Sequence, residues 1–278
     1  MVKIEGKFNE ELYLTNETGR YLYHTYAEHL PIIDYHCHLN PKEIAEDKEF
    51  EDLGEMWLSG DHYKWRCMRT FGIDERYITG DAGYYEKYMA FAEILPKLAG
   101  NPIYIWCALE LKRFFDIDEP LSKANAEEIY QRTKALIREK HMTRRWCMEH
   151  SNVRLVSTTE DPIDDLRWHR QIAQSDCKTR VVTAFRPDKA MFLADKGFAD
   201  YLTKLAAASE QAICSFADLL TALEKRLRYF RETTGTTVSD DGIPFFAWAD
   251  WTEAEVEAIF LERWYGVKLN PASEILPL

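Results

Sequence analysis

The chain has 278 residues, of which 46% are hydrophobic and 13% aromatic, so it holds enough apolar material for one large folded domain and is not a disordered tail. Its 35 basic and 47 acidic residues leave a formal charge of −12, which argues against nucleic acid and anionic membrane as partners. An anionic substrate would therefore need a cation placed locally for it.

Six scattered cysteines with no C-x-x-C pair fit reduced thiols in a cytoplasmic protein better than a disulfide framework or a zinc ribbon. The residues after Met1 form no apolar signal segment, and no run approaches the ~20 apolar residues of a membrane span.

In chain order, Leu22, Tyr23, Tyr26 and Leu30 are spaced for one helix face, with Thr15 and Asn16 as capping candidates. Pro31 stops that helix, and Ile32 to Leu39 reads as a buried strand. Residues from about 40 to 150 read as a helical insertion after this first strand. Two further strands are predicted, Val153 to Thr159 and Thr179 to Phe185, each preceding a helical segment in the rhythm of parallel βα units. Leu219, Leu220, Leu223, Leu227 and Phe230 form an apolar stripe on a later helix. Thr252-Glu253-Ala254-Glu255 is a capping box opening a helix that Gly266 is placed to close.

The sharpest chemical signal is His36-Cys37-His38. On a strand, alternate side chains share a face, so His36 and His38 project together with Asp34. Two imidazoles at a strand end suit a divalent metal, with zinc a natural choice. The competing reading is two hydrogen-bonded core histidines, and spacing alone separates the two only slightly. His62 and Tyr63, in Gly60-Asp61-His62-Tyr63-Lys64-Trp65-Arg66, have the chemistry for proton transfer or for bonding a substrate hydroxyl. The plainer reading is an amphipathic helix with its aromatic rings inward and Lys64, Arg66 and Arg69 in solvent. Arg186 ends the third strand, and its guanidinium suits a bidentate grip on a carboxylate; an ion pair with Asp188 is the plain alternative. Thr158-Thr159-Glu160-Asp161-Pro162 reads as a turn.

Taken together, these segments resemble the uronate (glucuronate) isomerase family of the amidohydrolase superfamily. The likeness runs through Asp34 to Leu39, Gly60 to Arg66, Gly100 to Tyr104, Leu109 to Leu111, Thr158 to Asp164, Arg186 to Ala190 and Phe216 to Leu219. It implies an α/β fold of the TIM (β/α)₈ type, distorted and incomplete at its C-terminus, covering residues 1–278 as one domain. It implies interconversion of hexuronates, D-glucuronate with D-fructuronate and D-galacturonate with D-tagaturonate. His36 and His38 would bind the metal, His62 and Tyr63 would contact the sugar and assist proton movement, and Arg186 would hold its carboxylate.

The chain departs from the family's pattern where Trp106-Cys107-Ala108 replaces Trp-Thr-His and Ser239-Asp240-Asp241 replaces Ser-Asp-His. The family's later metal-binding Asp has no counterpart before Leu278. Open sheet edges are therefore expected, and with them a partner chain, a homo-oligomer or an unusual closure. Rival readings are a hydrolase using the same metal and a catalytically incomplete paralogue that binds uronates.

Overall fold

The structure, a computed structural model, describes residues 11–243 and 248–264. In chain order the regular elements are α1 (Glu17–Leu22), β1 (Ile32–Asp34), α2 (Pro41–Glu46), α3 (Leu53–Leu58), α4 (His62–Thr70) and α5 (Tyr84–Ile94). Next come α6 (Pro102–Phe115), α7 (Ala126–Glu139), α8 (Arg144–His150), β2 (Val153–Glu160), α9 (Arg167–Ala173) and β3 (Arg180–Phe185). The chain continues through α10 (Asp188–Met191), α11 (Phe198–Ser209), α12 (Phe216–Thr234) and α13 (Glu253–Trp264). No helix among the described residues is long and apolar enough to cross a membrane.

The chain divides into two compact units, one of residues 1–30 and 47–147, the other of 31–46 and 148–278. The first unit is helical. Its core gathers Leu53, Trp57, Met68, Tyr88, Phe91, Ile103, Leu111 and Ile137, all fully or nearly fully buried. Asp52 anchors α3 twice: its Oδ1 accepts from Glu55 N at the helix start, and its Oδ2 accepts from the Tyr130 hydroxyl at 2.7 Å. Asn16 caps α1 through Gly19 N, as its position predicts. The predicted face of Leu22, Tyr26 and Leu30 is exposed, however, and the chain from Tyr23 to Ala27 winds as a π-helix rather than continuing α1.

The second unit carries the sheet. Its three strands run in parallel in the order β1-β2-β3, with Ile33 opposite Leu155 and Thr158 opposite Thr183. β2 and β3 form nearly residue for residue where β-branched runs predict them, because such side chains fit a pleated sheet, whereas β1, read as a buried strand, leaves Ile32 and Ile33 exposed. A parallel bridge between Phe185 and Ser239 extends the order beyond β3. Among the described residues the sheet does not close on itself.

The alternation of side chains along β2 decides what each face sees. Val156, Thr158 and Glu160 turn toward the helix layer, where Val156 packs with Ile44 of α2, Met148 and Ile172 of α9. Thr159 turns the other way, toward His38.

Along α12 the observed buried stripe is Leu219, Ala222, Arg226 and Phe230, whereas Leu220 and Leu227 are exposed. The helical period favours the 219-222-226-230 row, and it carries an arginine inward. Arg226 is tolerated there because its guanidinium donates to the carbonyls of Pro162, Ala208 and Asp164 at 2.7–2.8 Å. The capping box of α13 forms as predicted: Thr252 N donates to Glu255 Oε2, and Glu255 N to Thr252 Oγ1. Gly266 lies outside the described residues.

Candidate active site

β1 is shorter than its sequence suggests. It ends at Asp34, so His36 and His38 stand on the irregular segment that follows rather than on the strand itself. That segment is still held to the sheet, because Cys37 N donates to Ser157 O at 2.9 Å. The alternation therefore persists beyond the strand. Cys37 packs with the apolar cluster of the helix layer, where burial pushes its thiol up to about 11, while the two imidazoles remain together. Their ring centroids are 4.9 Å apart, edge to face.

The ends of the other strands bring further groups to the same place. His38 Nδ1 is 3.4 Å from Thr159 Oγ1 near the end of β2. Arg186 follows β3, with its backbone N–H bonded to Glu160 O. Its Nε donates to Asp188 Oδ2 at 2.9 Å, and its Nη1 lies 3.2 Å from Asp240 Oδ2. The hydrogen bond to Asp188 strengthens the guanidinium's hold on its proton. Asp240 reaches this position through the bridge beyond β3: its N–H donates to Phe185 O, and Ser239 Oγ donates to the same carbonyl. The Asp240 oxygen facing Arg186 is also 3.6 Å from His36 Nδ1.

Thus His36, His38 and Arg186 gather at the C-terminal ends of the strands, as catalytic groups do on α/β barrels. Asp240 was not among the predicted site residues. Its Ser-Asp-Asp context carries no spacing signal, and only the return of the chain beside β3 places it there.

These residues suit a divalent cation in part. Asp240 Oδ2 is shielded from solvent and makes no hydrogen bond, so it is a buried acceptor in want of a partner beyond the Arg186 ion pair. Its 3.6 Å separation from His36 Nδ1 matches two donors held about 2.1 Å from one ion at an angle near about 120°. Among the described residues no three His, Cys, Asp or Glu side chains converge on one point. The donor types fit; the set is not closed.

His62 and Tyr63 belong to the helical unit, in the first turn of α4. Asp61 caps that helix, with Oδ1 accepting from Tyr63 N and Lys64 N, and its Oδ2 takes Lys64 Nζ at 2.7 Å. Tyr63 is 64% exposed, and His62 rests on the Trp65 ring at 4.9 Å. The expected amphipathic arrangement is thereby reversed at two positions: Tyr63 faces outward, and Lys64 is 5% exposed and points inward. Burial alone would pull its ammonium down, but the nearby charges of Glu110 and Asp61 outweigh that and hold it protonated. Asp61 and Lys64 together fix the turn that presents His62 and Tyr63.

A family model described as glucuronate isomerase matches residues 4–275. The chain belongs to the glucuronate isomerase family. That family is a branch of the metal-dependent amidohydrolase superfamily. Among its relatives, the uronate isomerase of Lachnoclostridium phytofermentans is 45% identical over 268 residues, covering 96% of this chain and 57% of that protein. The uronate isomerase of Shouchella clausii is 46% identical over 267 residues, with 96% and 56% covered. In solved structures, the uronate isomerase of Thermotoga maritima superposes with a TM-score of 0.81 at 33% identity, covering 89% of this chain and 54% of that one. The glucuronate isomerase of Caulobacter crescentus gives 0.84 at 28%, with 94% and 56% covered. The chain therefore spans just over half the length of the family members it matches.

Proposed function

We propose that this chain carries the metal and carboxylate halves of a hexuronate isomerase site, acting on D-glucuronate to give D-fructuronate and on D-galacturonate to give D-tagaturonate. The observation that carries the reading is the convergence of His36, His38 and Arg186 at one end of the parallel strands, in a chain matching the family over nearly its whole length.

His36 and His38 would hold a divalent metal, zinc by the softness of imidazole donors, with Asp240 beside them. When bound, such an ion supplies a Lewis acid for the negative charge that develops as the carbonyl migrates. Arg186 supplies the local cation that a chain of charge −12 needs for an anionic sugar. For a bidentate grip it must exchange a carboxylate of its own, Asp188 or Asp240, for that of the substrate. The reaction moves a proton from C2 to C1, and His62 and Tyr63 carry the hydroxyl contacts and proton movement, a contribution of about 10²–10⁴ for positioned acid–base groups. A homo-oligomeric cytoplasmic protein, with no nucleic acid or membrane partner, is the setting that accompanies this reading.

The test is ketose formation from D-glucuronate by purified protein with added zinc, beside His36→Ala and His38→Ala. Turnover that both substitutions abolish supports the assignment. Turnover indifferent to both removes the metal role, and zinc bound without turnover turns the reading toward a uronate-binding paralogue. Activity confined to amides or lactones would make it a hydrolase instead.

A further inference from the structure

An arginine offers a carboxylate two flat edges, a side edge of Nε and Nη2 and an end edge of Nη1 and Nη2. In Arg186 the two are held unequally. On the side edge, Nε donates to Asp188 Oδ2 at 2.9 Å. The other oxygen of Asp188 accepts from Gly242 N at 2.9 Å, so both oxygens of this carboxylate are engaged. Pro187 lies between the two charged residues, and its ring restricts the turn that brings Asp188 back beside the arginine side chain. Gly242 also walls the side edge, since a Cβ there would stand 3.1 Å from Nη2 and 2.9 Å from Asp188 Oδ2.

The end edge is held by much less. Nη1 lies 3.2 Å from Asp240 Oδ2, yet that oxygen makes no hydrogen bond, so the contact is charge attraction without an aligned N–H. The same oxygen is shared with His36, whose Nδ1 is 3.6 Å away. Taking Asp188 off the guanidinium breaks its hydrogen bond to Nε and disturbs the one to Gly242; taking Asp240 off Nη1 breaks none. The Arg186 side chain is 31% exposed. Among the described residues neither Nη1 nor Nη2 makes a hydrogen bond, and neither is shut off from solvent, so an incoming group can reach both.

We propose that Asp188 is a positioning residue for anion binding: it keeps the side edge of Arg186, the end edge of Nη1 and Nη2 receives the carboxylate of the sugar acid, and Asp240 is the carboxylate displaced. This rests on the reading of Arg186 as the holder of that carboxylate. Asp188 and Gly242 fix the plane of the guanidinium, so the ligand meets two parallel N–H groups already oriented rather than a freely turning side chain. Asp240 moves off toward His36, which it already faces.

The test titrates D-glucuronate into the full chain in the presence of a chelator, with the Arg186 guanidinium followed by NMR and the affinity by calorimetry. In the parent protein the Nη resonances should move further than Nε–H; the reverse order, as for a partner exchanged at Nε, overturns the proposal. Asp188→Asn should weaken binding about tenfold, even though it removes a negative charge from an anion site, and Asp240→Asn should tighten it by a similar factor. Unchanged or tighter binding by Asp188→Asn, or weaker binding by Asp240→Asn, overturns the proposal. Circular dichroism reports whether each variant is folded, and the NMR comparison on the parent decides the matter without them. If the parent does not bind D-glucuronate, or Arg186→Lys binds it as tightly as the parent, the reading of Arg186 itself falls, and the assignment of its edges with it.

Discussion

Arg186 and Asp240 form an ion pair across the end of the sheet, Nη1 to Oδ2 at 3.2 Å, and His36 approaches that same carboxylate oxygen. The guanidinium that is to receive a sugar carboxylate is thus already matched to carboxylates of its own chain. Arg186→Lys keeps the charge and loses the planar fork. The expected outcome in steady-state kinetics on D-glucuronate is a KM raised about tenfold or more, with the melting temperature changed by no more than about 2 °C, because lysine keeps a cation beside the half-buried carboxylates of Asp188 and Asp240. An unchanged KM would take Arg186 out of carboxylate binding.

Gly242 guards this arrangement. A Cβ there would stand 2.9 Å from Asp188 Oδ2 and 3.1 Å from Arg186 Nη2, and its N–H already donates to Asp188 Oδ1 at 2.9 Å. Gly242→Ala should push the two charged groups apart. The Arg186 ¹⁵Nε resonance should shift, and global stability should fall by no more than about 1 kcal/mol, as for a local surface adjustment. An Nε resonance identical to that of the parent protein would show that the methyl is accommodated without moving the pair.

In the helical unit, Asp52 joins a helix cap to a buried hydrogen bond from Tyr130. Asp52→Ala removes both and strands a buried hydroxyl. A loss of about 2–3 kcal/mol in urea unfolding is expected. Tyr130→Phe, which removes only the second contact, should cost less. Equal losses for the two variants would mean the cap contributes nothing.

His169 should make the fold acid-sensitive. Its folded-state value, about 4, lies below the usual 6.5, so between these limits the unfolded chain binds more protons. Stability therefore rises with pH across the window: the full contribution is present above about pH 6.5 and is lost as pH falls toward 4. Glu160, whose carboxyl is raised by burial beside the Thr158 and Thr183 hydroxyls, contributes the opposite slope above its own usual range. The comparison that isolates the histidine is the parent protein against His169→Gln, each unfolded with urea from pH 7 to pH 4. The parent should lose about 2–3 kcal/mol more than the variant over that range. Parallel curves would show that His169 titrates normally in the folded state.

Three parallel strands were legible as β-branched runs bounded by Pro, Asn and Asp, since local sterics favour extended backbone there whatever the neighbours do. The end of β1 was not. Nothing in Tyr35 to Leu39 breaks a strand, and whether the ladder continues is set by the partner segment of β2. The inward turn of Lys64, expected in solvent, and of Arg226 was hidden for a related reason. A long charged side chain reads as solvated unless its counter-groups are known, and theirs come from Glu110 on another helix and from loop carbonyls distant in sequence.

The residue order alone determined the pairing of His36 with His38, the placing of Arg186 at a strand end and the family to which the chain belongs. These are properties of neighbours along the chain, carried by a two-residue period and by local motifs. Only the tertiary structure decided that Asp240 meets both His36 and Arg186, and that His169 is buried against Thr158 with its other ring nitrogen unpartnered. Each depends on groups from separate elements whose approach is dictated by packing, and on burial, which alters a side chain's charge and which no local pattern encodes.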